Sequence, residues 1–146
     1  NVAGIVELAH ALEVTEKVKN KEIKRLTKLR NYFLKKLHKK ENSTQIIING
    51  DLKNRLPNNV NITIPNIPSE LLVIELSARG IMASAKSACK AGDGKASHVI
   101  KAINLKIKDT DGSLRFSLGR HTTKSDISYT IKSLFQILTK LKKWYS

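Results

Sequence analysis

Cys89 and Arg115 are the residues of this 146-residue chain whose types and surroundings point most directly to chemistry. Cys89 is the lone cysteine, set in Ser84-Ala85-Lys86-Ser87-Ala88-Cys89-Lys90-Ala91-Gly92. A single cysteine in a globular chain is often a small buried hydrophobe. Here no apolar period runs through the segment, and Lys86 and Lys90 flank the thiol, a setting that favours an exposed sulfur with thiolate character and hence a nucleophile. His98, nine residues on, could act as a base for it, or could merely cap or decorate the helix on whose first turn it is expected. Arg115 alternates with Leu114, Phe116 and Leu118, which predicts a half-buried strand with Arg115 pointing away from the core. An ordinary solvent-facing arginine satisfies that pattern. So does a guanidinium in a pocket, where its planar fork suits a carboxylate gripped by two parallel hydrogen bonds. One cysteine and four scattered histidines lack any metal-ligand spacing.

The elements that must position these residues follow from periodicity. Ile5, Leu8, Ala9 and Leu12 form one apolar stripe, and Ile23, Leu26, Leu29, Phe33 and Leu37 another at steps of three and four. The pattern predicts a helical lead-in over 1–41, as one long helix or two with a break near Asn20. Gln45 to Asn49 and Asn59 to Ile64 read as two strands joined by a polar loop that turns at Gly50-Asp51, with Pro65 and Pro68 closing the second. Ser69 is expected to N-cap a helix ending at Gly80, and Ile81 to Ser84 to form a short strand. Residues 85–95 show neither period and read as a mobile loop carrying Cys89. Ser97 can cap a short helix bearing Val99, Ile100 and Ile103, and Thr110-Asp111-Gly112 suggests a turn. Thr123, with Asp126 three residues on, predicts a capping box at the head of a last helix. The fold class is α+β, a small sheet of short strands packed with helices, in a single domain over 1–146.

Composition narrows the functional classes. Apolar residues make up 40% of the chain, enough for one core at this length, and a lone cysteine excludes an internal disulfide. Apolar stretches such as Leu71 to Ile74 fall far short of the roughly 18–20 residues needed to span a bilayer, so we expect a soluble, cytoplasmic protein without membrane association. The chain opens at Asn1 and its one methionine is Met82, which suggests a piece of a longer protein. Twenty-seven Lys and Arg against 12 Asp and Glu give a net charge of +15, the compositional mark of polyanion binding. Much of it lies between Lys17 and Lys40, where eleven basic residues accompany one acid, on what reads as the solvated face of an amphipathic helix. With aromatics at 5% there is little to stack on bases, so only weak, nonspecific nucleic-acid affinity is expected.

Four segments carry a family resemblance: Asn1-Val2-Ala3-Gly4-Ile5-Val6; Leu56-Pro57-Asn58-Asn59-Val60-Asn61-Ile62; Ser87-Ala88-Cys89 with Ser97-His98-Val99; and Leu114-Arg115-Phe116-Ser117-Leu118-Gly119-Arg120 with Thr122-Thr123. In order and spacing the chain resembles the C-terminal part of a cysteine desulfurase, a class V aminotransferase-like, pyridoxal-phosphate-dependent enzyme that supplies sulfur for iron–sulfur clusters or tRNA thiolation. The resemblance implies the small C-terminal domain of a fold-type I pyridoxal-phosphate enzyme. It assigns Cys89 as the catalytic cysteine, which takes the sulfur of L-cysteine as a persulfide and leaves L-alanine, and Arg115 as the grip on the substrate carboxylate. It further implies a homodimer and a sulfur-accepting partner, either an iron–sulfur scaffold or a tRNA-thiolation protein. The family's cofactor-binding domain, with its Schiff-base lysine, would lie upstream of Asn1, so no cofactor is expected on this fragment and the isolated chain should be catalytically incomplete. Two features depart from the pattern. Lys86 and Lys90 stand where the familiar Ser-Ser-Gly-Ser-Ala-Cys-Thr-Ser loop has glycine and a hydroxyl residue, and His98 stands where the family often has tyrosine; all three are candidate modulators of Cys89. Two other readings share the sequence: a basic binding domain that docks acidic scaffold proteins or tRNA, and a degenerate, non-catalytic homologue.

Overall fold

A computed structural model describes residues 1–38, 46–85, 97–103 and 112–145. Helix α1 spans Val2–His38 without interruption, so the break anticipated near Asn20 does not occur. Asn20 is a weak helix former but not a breaker, and good formers surround it. Two short strands follow, β1 (Ile47–Ile48) and β2 (Asn59–Ile64), then α2 (Ser69–Ser77), α3 (His98–Ile103), β3 (Gly112–Ser117) and α4 (Lys124–Tyr145).

The sheet is antiparallel in the order β1-β2-β3, with Asn61 opposite Arg115 and Thr63 opposite Ser113. Because side chains alternate along each strand, its two faces differ in chemistry. Val60, Ile62 and Ile64 of β2 and Leu114 and Phe116 of β3 enter the apolar core, where they meet Phe33 and Leu37 of α1, Leu72 and Leu76 of α2, and Ile131, Leu134 and Leu138 of α4. Phe33 and Phe116 stack in a tilted pair with ring centroids 5.2 Å apart, tying α1 to the strand that bears Arg115. The opposite face carries Asn59, Asn61 and Thr63 beside Ser113, Arg115 and Ser117. Helix α3 belongs to that second side: its buried Ile100 stands outside the main core cluster, and it lines a pocket with Asn61 and Arg115.

Several local expectations hold and several shift. Thr123 and Asp126 close a capping box: the Asp126 N–H donates to Thr123 Oγ1 at 3.2 Å and the Thr123 N–H to Asp126 Oδ2 at 2.9 Å. Ser69 does not cap α2. The helix begins on it, Pro68 occupies the cap position, and the Ser69 hydroxyl donates instead to Glu70 Oε2. Gly112 opens β3, and Thr110 and Asp111, expected to form a turn with it, lie outside the described residues. Ile81 to Ser84 contributes only a bridge, between Ser84 and Arg115. Ile5, Leu8 and Leu12 stay exposed, because the half of α1 that bears them extends beyond the core. The described residues contain no helix long and apolar enough to cross a membrane.

Candidate functional site

The site grows from the polar face of the sheet. Asn49, one residue past β1, continues the pairing by donating its N–H to Asn61 O at 2.9 Å. Its side chain is buried and donates through Nδ2 to Asn61 Oδ1 at 2.7 Å and Thr63 Oγ1 at 2.8 Å, while Ser113 Oγ donates to the same Asn61 oxygen at 3.4 Å. Two carboxamides and a hydroxyl thus link the end of β1 to β2 and β3 on the sheet face that bears Arg115. Arg115 itself is exposed, as its alternation with Leu114 and Phe116 predicts, and among the described residues no partner takes its guanidinium.

A turn forms one wall of the resulting pocket, about 330 Å³ in volume. Gly50 adopts φ 84°, a left-handed conformation that favours glycine, and Asp51 then accepts the N–H groups of Asn54 and Lys53 on Oδ1. Those two hydrogen bonds, Asn54's foremost, hold the Asp51 carboxyl below the usual carboxylate range. Arg30 of α1, buried, reaches the far side of the turn and donates to the carbonyls of Arg55 and Leu56 at 3.2 and 3.0 Å. Arg55 donates from Nη2 to Asn49 O at 3.1 Å, and burial, followed by the charge of Arg30, lowers its pKa. Among the described residues three buried polar atoms here lack partners: Arg55 Nε, Arg55 Nη1 and Asn49 Oδ1.

The pocket has an apolar wall of Val99, Ile100 and Ile103 facing two guanidinium groups and one carboxylate, and suits a small anion-bearing ligand. It does not by itself fit pyridoxal phosphate. Its described lining contains no lysine to form an imine and no aromatic ring to stack on a pyridine. A larger cavity of about 480 Å³ lies between the end of β3 and the head of α4, but its carboxylate, Asp126, is already engaged in the Thr123 cap.

Of the residues singled out in the sequence, Arg115 lies in the pocket. His98 is exposed at the first position of α3 and is not among the lining residues, although its neighbours Ser97 and Val99 are. Lys86, Cys89 and Lys90 lie outside the described residues, as does most of the 85–95 segment. Its flanks are described: Ala85 and Ser97 both line the Arg115 pocket. Sequence reasoning passed over Asn49, Asn61 and Arg55. A signal for the asparagines was present, since Asn is depleted in strands and two of them on one strand face, Asn59 and Asn61, need a reason.

Among the described residues no group of three or more His, Cys, Asp or Glu could hold a metal ion. Compared with known proteins, residues 1–130 match the family model of aminotransferase class-V. The chain is 40% identical over 142 residues to "Cysteine desulfurase IscS" of Dictyoglomus turgidum, covering 97% of this chain and 36% of that protein. It is 36% identical to "Cysteine desulfurase IscS 1" of Archaeoglobus fulgidus over the same shares. In structure it resembles a "NifS-like protein" with a TM-score of 0.79 at 28% identity, covering 97% of this chain and 34% of that one. The chain thus spans about a third of the length of the relatives it matches.

Proposed function

The chain belongs to the aminotransferase class-V family, and from that premise we propose that it is the small domain of a cysteine desulfurase, contributing the substrate-carboxylate grip and the sulfur-accepting thiol. The observation that carries this reading is the surroundings of Arg115. A guanidinium with no partner among the described residues lies in a pocket whose lining includes both Ala85 and Ser97, the described flanks of the segment that holds Cys89. Cys89 follows Ala85 by four residues, a tether of at most about 14 Å.

In this reading Arg115 fixes the L-cysteine carboxylate, and the Cys89 thiolate attacks the substrate sulfur. An S–S bond forms, the substrate C–S bond breaks, and the electron pair left on carbon takes up a proton. The products are L-alanine and a persulfide on Cys89, with no external oxidant or reductant. Pyridoxal phosphate supplies an electron sink for such chemistry; its binding residues belong in the remaining two thirds of the length seen in the relatives, and the fragment alone is inactive. The persulfide passes to an acceptor protein for iron–sulfur assembly or tRNA thiolation, in a homodimeric enzyme of the reducing cytoplasm. The flanking cations of Lys86 and Lys90 favour the thiolate, and His98, exposed and outside the pocket lining, acts on it at most indirectly.

The test is alanine release from L-cysteine by the full-length protein reconstituted with pyridoxal phosphate. Stoichiometric alanine and persulfide from the wild type, with turnover lost in Cys89→Ser, is the expected result. Undiminished alanine release by Cys89→Ser overturns the assignment of the thiol.

A further inference from the structure

We propose that Asn61 is a second carboxylate-binding residue, presenting its carboxamide N–H₂ to the same substrate carboxylate that Arg115 grips. The inference rests on the desulfurase reading and deepens it.

Asn61 and Arg115 are directly opposed across the β2–β3 ladder. Such partners have Cβ atoms about 4.5–5.5 Å apart and side chains on the same face. Both line the one pocket. The orientation of the Asn61 amide is set from behind: its oxygen accepts Asn49 Nδ2 at 2.7 Å and Ser113 Oγ at 3.4 Å, so the nitrogen is the end left for a ligand. Among the described residues Asn61 Nδ2 has no acceptor. A donor held beside a cation matches a carboxylate, which can accept from both at once.

Asn49 makes the orientation persistent. It is buried, it donates its second Nδ2 proton to Thr63 Oγ1 at 2.8 Å, and Arg55 holds its backbone carbonyl at 3.1 Å. The carboxamide is thereby preorganised before substrate arrives, so its contact costs little ordering entropy. Asn49 also lines the pocket, and among the described residues its buried Oδ1 has no hydrogen-bond partner.

The experiment uses the full-length, cofactor-loaded protein as wild type, Asn61→Ala, Asn61→Asp and Arg115→Ala. The probes are L-cysteine, its deamino analogue 3-mercaptopropionate as a competitor, and the neutral amide of that analogue. Asn61→Ala is expected to raise the KM for L-cysteine and the inhibition constant of 3-mercaptopropionate on the order of 10-fold, leaving the neutral amide unchanged. Asn61→Asp keeps the acceptor for Asn49 and Ser113, and so the fold, but turns an oxygen toward the carboxylate and should weaken both acids further. The inference is overturned if Asn61→Asp leaves the L-cysteine KM unchanged, or if Asn61→Ala shifts acid and amide equally. Should only Arg115→Ala weaken the acid, the desulfurase reading stands and Asn61 has no part in it. A wild type that releases no alanine from L-cysteine defeats both.

Discussion

Ser84 and Arg115 exchange two backbone hydrogen bonds, the Arg115 N–H donating to Ser84 O at 2.8 Å and the Ser84 N–H to Arg115 O at 3.0 Å. This bridge anchors the chain five residues before Cys89 to the residue proposed to hold substrate. Ser84→Pro removes one of the two donors, worth about 0.5–1.5 kcal/mol, at the point where the strand bearing Arg115 meets the chain leading toward Cys89. It should lower kcat/KM for L-cysteine several-fold while unfolding stays cooperative. Ser84→Ala keeps both backbone bonds and should behave as wild type in the same assay.

Arg115→Ala removes a charged donor whose alternation places it away from the core. Loss of a charge-assisted hydrogen bond costs about 1.5–3 kcal/mol, so kcat/KM should fall roughly 10–150-fold. Thermal unfolding should be nearly unchanged, because Leu114 and Phe116, not Arg115, fill the apolar side. Unfolding as the main effect would return Arg115 to a structural role.

Gly112 opens β3 where the backbone crowds it. A Cβ there would press on the carbonyl oxygen of Ile67 and meet Leu72 Cδ1 at 3.0 Å. Backbone cannot yield as a side chain can, so Gly112→Ala should destabilise by about 1–3 kcal/mol, read from denaturant unfolding. Gly119, with open space around its Cβ position, is the control that should tolerate alanine.

Glu75 ties α2 to α4, accepting from Lys140 Nζ and Arg79 Nη1, each at 2.8 Å. The Lys140 hydrogen bond, then that of Arg79, holds its carboxyl below the ordinary value of 4.5. A folded-state pKa below the unfolded one gives stability that is complete above the ordinary value and is lost as pH falls through the lower one. The Tm difference between wild type and Glu75→Gln should therefore be widest near neutrality and close on acidification below pH 4.5. Lys140 is 60% exposed, so salt should narrow the same difference.

The elements with the most regular patterns were the most legible in the sequence. The alternation of Val60, Ile62 and Ile64 and the Thr123–Asp126 spacing specified β2 and the head of α4, because side-chain period and cap chemistry are local properties. Arg115 could be oriented for the same reason. The polar network could not be read, since Asn49 and Asn61 are twelve residues apart and meet only when β1 pairs with β2. Arg30 was read as part of a basic helix face, yet it is buried and braces the turn at Arg55, a role that depends on tertiary contacts. Ile5, Leu8 and Leu12 carry a helical apolar stripe but stay exposed: periodicity reports a face, not what covers it.

The most direct test of the proposed reaction is mass spectrometry of the Cys89 peptide from the full-length protein, after brief exposure to L-cysteine and trapping of free persulfide with an alkylating reagent. The account predicts a trapped adduct heavier by one sulfur atom than that of the thiol, formed in step with L-alanine and absent when L-alanine replaces L-cysteine. Alanine accumulating while the Cys89 peptide carries no added sulfur would contradict it.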